Sequence, residues 1–266
     1  MKGNKKAAAK TKKAAEEARG PQPSKTKKKA AAGKERKAAE GENDVDLREQ
    51  LVNGGAVGPI TEVSLPEPMI TSLRGILLDF DPSLYRKAVA DPKLFCGDLV
   101  ERWLSRHPVF QKAEVRSSGR GLHVLLLFDR PVEFATQGER QLWAAVVKVI
   151  QRLLPTDPGC PGITALTRPV GSVNSKNGKQ VRLLKEGRPV DPQEVLALFE
   201  EVKAAPFRTV ASLLFGGERV SPCPLCQAEG SALVALDHSG KCYGCGQVRI
   251  GQLFDVFLKP RAKKGG

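Results

Sequence analysis

The chain has 266 residues, 43 Lys+Arg against 29 Asp+Glu, a formal charge of +14 at pH 7, and only 5% aromatic residues. That length allows one or two domains with a real core. No apolar run reaches the ~18 residues of a membrane span, and the lysine-rich start lacks the apolar segment of a secretory signal, so a cytoplasmic, unsecreted protein without a membrane partner is expected. Residues 1–40 hold 14 of the basic and 4 of the acidic side chains, with no large apolar residue after Met1. A disordered Lys/Ala-rich tail over 1–42 follows, either solubilising or gripping phosphates without specificity. Short apolar stretches at 46–52 and 57–65 read as a lead-in to a domain spanning 43–205. Its first strong element is a strand over 74–80 (RGILLDF), stopped by Asp81-Pro82. Helices are predicted near 83–90 and 92–106, each opened by Asp-Pro. Strands follow at 113–117 and 122–128, the second apolar on both faces and hence central in a sheet. Leu142, Val146, Val149, Ile150 and Leu153 mark an amphipathic helix over 138–154. A Gly/Pro-rich loop (155–178), a strand near 180–184 and a helix from Asp191, with a capping-box carboxylate at Glu194, complete an α+β sheet domain.

Residues 206–258 change character. Cys223-x2-Cys226, fifteen residues, and Cys242-x2-Cys245 form two knuckles. Four thiolates so placed fill a tetrahedral zinc shell with no open position, which makes the zinc structural. Lys241, Tyr243 and Arg249 can form the tip of a nucleic-acid-binding hairpin; the alternative is a staple for some 40 residues without a core of their own. His238 is read as a surface histidine, and Cys96 and Cys160 as core thiols. A short terminal helix closes this zinc-ribbon module, and 259–266 is a basic coda.

Three segments carry candidate chemistry. In Ile76-Leu77-Leu78-Asp79-Phe80-Asp81, strand alternation puts Ile76, Leu78 and Phe80 on one face and Leu77, Asp79 and Asp81 on the other. Two carboxylates so spaced can chelate Mg²⁺ or Mn²⁺, or Asp81 can be a helix cap like the chain's other Asp-Pro aspartates. Ser117-Ser118-Gly119-Arg120-Gly121-Leu122-His123 is a glycine-loosened turn delivering Ser118 and His123 to a ligand, unless the histidine is structural. Arg168-Pro169-Val170-Gly171-Ser172-Val173-Asn174-Ser175-Lys176 groups phosphate donors for a polyanion such as a nucleoside triphosphate; the alternative is an ordinary basic loop.

In this order, the strand ending in Asp-x-Asp, the SGRGLH turn and the R…GS-x-N-x-K loop resemble the archaeo-eukaryotic primase superfamily. Within it, the likeness is greatest to the prim-pol and replication-protein primases of plasmids, viruses and prophages. The resemblance covers roughly 74–185. It implies an RRM-like catalytic sheet with packed helices, with Asp79 and Asp81 on catalytic Mg²⁺ or Mn²⁺ and His123 on the incoming phosphates. Arg168 and Lys176 would clamp the triphosphate, with Ser118, Ser172 and Asn174 completing the nucleotide site. The family supplies a third carboxylate before the phosphate loop. Asp157, the sole acid between Glu139 and Lys176, stands there, while Gly162 occupies a further position that is often acidic. The cysteine module is similar to the finger of bacterial primases with Cys226 in place of histidine, and its place after the catalytic domain fits the archaeo-eukaryotic class.

The function so implied is template-directed synthesis of primers on single-stranded DNA from nucleoside triphosphates, in a nucleoid-associated or virus- or mobile-element-encoded enzyme. Two rivals stay open: a catalytically inactive primase fold binding single strands or origins, and a nuclease using the same acids. Gly33-Lys34, Gly178-Lys179 and Gly240-Lys241 all lack the following Ser/Thr of a P-loop, so any helicase, like any polymerase partner, acts in trans.

Overall fold

Four antiparallel strands form the main sheet: β1 (Ser72–Phe80), β2 (Glu114–Ser117), β3 (Leu122–Glu133) and β4 (Arg182–Lys185), in the order β1-β3-β2-β4. The computed structural model describes residues 66–87 and 91–260; the tail expected over 1–42, the lead-in stretches and most of the basic coda lie outside them. β1 pairs with β3 from Gly75 opposite Leu127 to Phe80 opposite Leu122, so Asp79 stands opposite His123. Alternation along β1 sends Ile76, Leu78 and Phe80 into the main core and Leu77 to a smaller cluster with Leu125 and Cys160. Both faces of these strands are thus covered, which is why they read as continuous apolar runs.

Helices cover the main-core face. The first, α1, consists of Pro92–Phe95, a π-turn at Cys96–Val100 and Glu101–Leu104, with Asp91 accepting from the Lys93 amide. It is followed by α2 (Pro108–Gln111), α3 (Gln137–Arg152), α4 (Pro192–Ala204) and α5 (Pro206–Phe215). Two expectations about them need correction. The capping box belongs to α3, through Thr136 and Glu139, whereas Glu194 turns away from its helix end to meet Lys112 Nζ at 2.6 Å. The buried stripe of α3 is Trp143, Val146, Val147 and Ile150, while Leu142 is exposed.

A third correction bears on the site. Instead of a helix from residue 83, the chain makes a single 3₁₀ turn, Pro82–Leu84, and Tyr85 enters a bridge with Leu258. The Arg86 amide donates to the Phe257 carbonyl and the Lys259 amide to the Leu84 carbonyl, each at 2.8 Å. These non-local partners outcompete the local helical pattern. The chain's last described segment thus straps the turn that follows β1.

The cysteine module is a second antiparallel sheet: β5 (Arg219–Val220), β6 (Leu233–Ala235), β7 (Gly240–Cys242) and β8 (Gly246–Val248), in that order, followed by α6 (Ile250–Phe254). It docks on α5. Gly240 lies under the Phe207 ring so closely that an added Cβ would come within 2.5 Å of it. The Phe207 amide donates to the Asp237 carbonyl at 2.9 Å, and Arg208 pairs with the Asp237 carboxylate at 2.6 Å. Leu233, Val248 and Leu253 join the same apolar cluster as Phe80 and Trp103. The fold is mixed α+β with two antiparallel sheets. Among the described residues no helix is long and apolar enough to cross a membrane.

Candidate functional site

Acids gather where β1 ends. Asp79 sits one residue before the strand terminus, and its backbone carbonyl accepts from the Asp157 amide at 2.8 Å, which brings the 155–161 loop alongside. Burial, then the charges of Asp157 and Asp81, push the Asp79 carboxyl up to about 6. Asp81 does serve as a cap, its Oδ1 accepting from the Ser83 amide at 2.8 Å, yet it also lines the cavity beside Asp79. Asp157 Oδ1 accepts from the Gly159 amide at 2.8 Å.

The turn and the loop lie next to the acids, with Gly121 packed against the Phe80 carbonyl. Ser118 and Gly121 close the β2–β3 turn through an amide-to-carbonyl bond of 2.9 Å. Buried Asn174 ties the loop to this turn, its Nδ2 donating to the Ser118 carbonyl at 2.5 Å while its Oδ1 accepts from the Lys176 amide at 3.0 Å. Asn174 is therefore a strut that fixes the loop. Gly119 has φ +111°, and a Cβ there would overlap the Asn177 side chain. Only glycine satisfies both the torsion and the approach. Gly119→Ala is accordingly expected to cost roughly 1–3 kcal/mol and to displace 174–178; thermal unfolding beside hydrogen exchange of the 174–178 amides checks it.

A cavity of about 610 Å³ lies here. Asp79 and Asp81 line it together with Ser118, Arg120, Asn174, Asn177, Lys176 and Lys179. Arg120 and Lys179 were not singled out as ligands by the sequence, although both sit inside or beside the motifs, next to the glycines that turn them inward.

His123, Arg168 and Ser172 do not line the cavity. His123 is buried, with Nδ1 2.9 Å from Thr167 Oγ1 and Nε2 4.0 Å from Asp79 Oδ1. Burial, reinforced by Arg168 and Arg116, pushes it down to about 4, so it is neutral at pH 7 and the contact with Asp79 is no salt bridge. Arg168 contributes its charge to this layer, and its carbonyl accepts from Arg116 at 3.2 Å. Ser172 Oγ donates to the Pro169 carbonyl at 2.7 Å within its own turn.

Two residues that the sequence reading passed over brace the acids. Gln151, buried in α3, donates from Nε2 to the Leu77 carbonyl at 2.9 Å and the Pro161 carbonyl at 3.1 Å. The buried Tyr85 hydroxyl donates to the Pro155 carbonyl at 2.6 Å. Both join the β1 region to the loop carrying Asp157. Nothing local marks them, because the bonds that reach across the fold, Gln151 to Leu77 and Tyr85 to Pro155, span 74 and 70 positions in sequence.

Among the described residues, Cys223, Cys226, Cys242 and Cys245 are the one group of three or more ligand side chains with donor atoms all within 4.8 Å of one another. The Sγ pairs 223–245 and 226–242 are each 3.8 Å apart. Metal–sulfur bonds of about 2.3 Å in a tetrahedron imply sulfurs about 3.8 Å apart, so the four fit zinc. The Ala228 amide, then the Ser231 hydroxyl, pull the Cys226 thiol down, while burial, then the neighbouring sulfurs, push Cys245 up. Tyr243 is fully exposed between Cys242 and Gly244.

No family model matches the sequence, and no curated protein matches it. Among solved structures, the chain is similar to the AEP domain of the cyanophage S-2L primase-polymerase (PrimPol), with 19% identity and a TM-score of 0.37. The match covers 50% of this chain and 63% of that one, so the chain spans less than two thirds of that domain. A likeness at this level leaves the function to be read from the residues of the site.

Proposed function

We propose that the chain is a primase-type nucleotidyltransferase that makes primers on single-stranded DNA. One observation carries this reading: a single cavity is lined both by Asp79 and Asp81 and by Arg120, Lys176 and Lys179. Carboxylates and cations together suit a metal-bound polyphosphate, whose cation meets the acids and whose phosphate oxygens meet the bases. The acids also fit divalent cations by their own energetics. Asp79 is held near 6 by burial and by two neighbouring carboxylates, a repulsion that a cation offsets. Asp79 and Asp81 would hold the ions, with Asp157 beside them, and bound Mg²⁺ or Mn²⁺ supplies the Lewis-acid charge for the attacking hydroxyl and the leaving pyrophosphate.

The chain's own residues do the positioning. Arg120, Lys176 and Lys179 balance the triphosphate charge. Asn174 keeps Lys176 in register with the 118–121 turn, and neutral His123 lies behind Asp79 without competing for its charge. Catalysis of this kind is placement and electrostatics, with no covalent intermediate required. Template and nucleoside triphosphates are the partners this implies, with a helicase or polymerase acting separately. In the same reading zinc fills the four cysteines and is structural, since no fifth position remains.

The test is synthesis on circular single-stranded DNA with labelled ribo- or deoxynucleoside triphosphates and Mg²⁺ or Mn²⁺. Short labelled products are expected. A second reading, a nucleotide- or strand-binding protein without catalysis, draws on Asp81 and Asp157 each engaging one carboxylate oxygen with a backbone amide. Metal-dependent binding of nucleotide with no product under any of these conditions selects that reading instead.

A further inference from the structure

A second cavity, of about 370 Å³, adjoins the acidic centre. Asp157 lines it, and the Asp157 amide donates to the Asp79 carbonyl at 2.8 Å, so the second cavity is tied through this backbone bond to the strand end that lines the first. Its walls differ from those of the first. Ile250, Phe254 and Leu258, from α6 and the strap, give an apolar side; Lys148, Arg152 and Lys259 give a cationic rim. Arg152 and Lys259 are exposed and have no ion pair or side-chain hydrogen bond among the described residues, and Lys148 Nζ donates only to the Cys160 carbonyl, at 2.8 Å. Three cations grouped without a carboxylate partner of their own, beside an aromatic ring and two branched aliphatic side chains, match the two halves of a nucleotide: a phosphate and a base.

We propose that this second cavity binds the acceptor nucleotide, the one whose 3′ hydroxyl is extended, with its 5′-phosphate on Lys148, Arg152 and Lys259 and its base against Ile250, Phe254 and Leu258. The proposal rests on the nucleotidyl-transfer reading for its role, and on the cavity alone for its ligand. Transfer needs two nucleotides meeting at one acidic centre. The acceptor's 3′ oxygen bonds to the α-phosphorus of the triphosphate, the α–β phosphoanhydride bond breaks, pyrophosphate leaves and the hydroxyl proton passes to solvent. The first cavity, lined by Asp79 and Asp81, would take the triphosphate, and the second, lined by Asp157, would take the acceptor. Because α6 and the strap follow the cysteine module directly, the acceptor site is built in part by the segment that the module anchors.

The probes are the four nucleoside 5′-monophosphates, titrated calorimetrically into the whole zinc-loaded chain and two double variants. Arg152→Ala/Lys259→Ala is expected to weaken monophosphate binding at least about tenfold. Lys176→Ala/Lys179→Ala should leave it within about twofold, while weakening triphosphate binding instead. Both pairs are cavity-rim cations, and thermal unfolding confirms that each variant is folded. Phe254→Ala tests the base side and should weaken all four monophosphates. Monophosphate affinity that survives Arg152→Ala/Lys259→Ala, or falls only in Lys176→Ala/Lys179→Ala, overturns the proposal, as does failure of all four to bind. If the first double variant loses monophosphate binding but the chain makes no product, the site stands and nucleotidyl transfer falls. If product forms while monophosphate binding ignores Arg152 and Lys259, transfer stands and this site falls.

Discussion

Asp79→Asn is expected to make the metal-free protein more stable above pH 6, by roughly 2–3 kcal/mol. The folded state holds the Asp79 carboxyl near 6, against an ordinary value of 3.8, because burial and two neighbouring carboxylates disfavour its charge. Below about pH 4 the group is protonated in folded and unfolded chains alike, and no penalty exists. Between about pH 4 and 6 the unfolded chain gives up the proton and the folded chain keeps it, so stability falls as pH rises. Above 6 the whole penalty is present, and asparagine removes it. Urea unfolding of both proteins from pH 4 to 8 in chelator should show stabilities that coincide near pH 4, diverge between about 4 and 6, and stay apart by the full amount above 6. Adding Mg²⁺ or Mn²⁺ should stabilise the parent protein and leave the variant almost unchanged, closing the gap. Coincident curves across the range would mean that the three aspartates do not repel as their placement requires. Local instability of this sort is the signature of groups arranged for a ligand rather than for the fold.

Cys242→Ser carries the other large effect. It should lower bound zinc from one per chain and cost several kcal/mol, a fall in Tm of about 10 °C or more. The four short strands of the module bury little of their own, and their ligands are what fix the two knuckles. The consequence should reach the acidic centre, because α6 and the strap leave the module to pair with residues 84–86. Hydrogen exchange reads this directly: the Arg86 amide, bonded to the Phe257 carbonyl, and the Lys259 amide, bonded to the Leu84 carbonyl, should lose protection together with the β7 and β8 amides. Loss of protection confined to the module, with Arg86 and Lys259 unaffected, would uncouple the two.

What the sequence made legible was local. Alternation in 76–80 does send Ile76, Leu78 and Phe80 to the main core and Leu77 to the other face, because a strand period of two is enforced by the backbone itself. The CxxC spacing anticipates four sulfurs gathered in one place, since each knuckle is a tight turn. The SGRG segment reads as a turn because glycine there has one physical use, and Gly119 with φ +111° shows it. The unreadable parts depend on distant partners. Residues 83–86 carry a passable helix signal, but Tyr85 and Arg86 find backbone partners at 155 and 257–258 instead. Ser172 and Arg168 belong to a phosphate-like motif, yet the Ser172 hydroxyl is used in its own turn and neither residue lines the cavity, while Lys179 and Arg120 do. Which member of a basic loop points inward is decided by the strut from Asn174 to Ser118, a contact between segments 56 residues apart.

The central claim is that carboxylates at the end of β1 and the cations that line the same cavity form one transfer centre. The measurement that tests it most directly compares the parent chain with Asp79→Asn and Asp81→Asn in metal-dependent incorporation of labelled nucleotide on single-stranded DNA. All three proteins are first shown to be folded and zinc-loaded. Labelled products from the parent, with none from either variant at any Mg²⁺ or Mn²⁺ concentration, is the result predicted. Equal incorporation by parent and variants would contradict it.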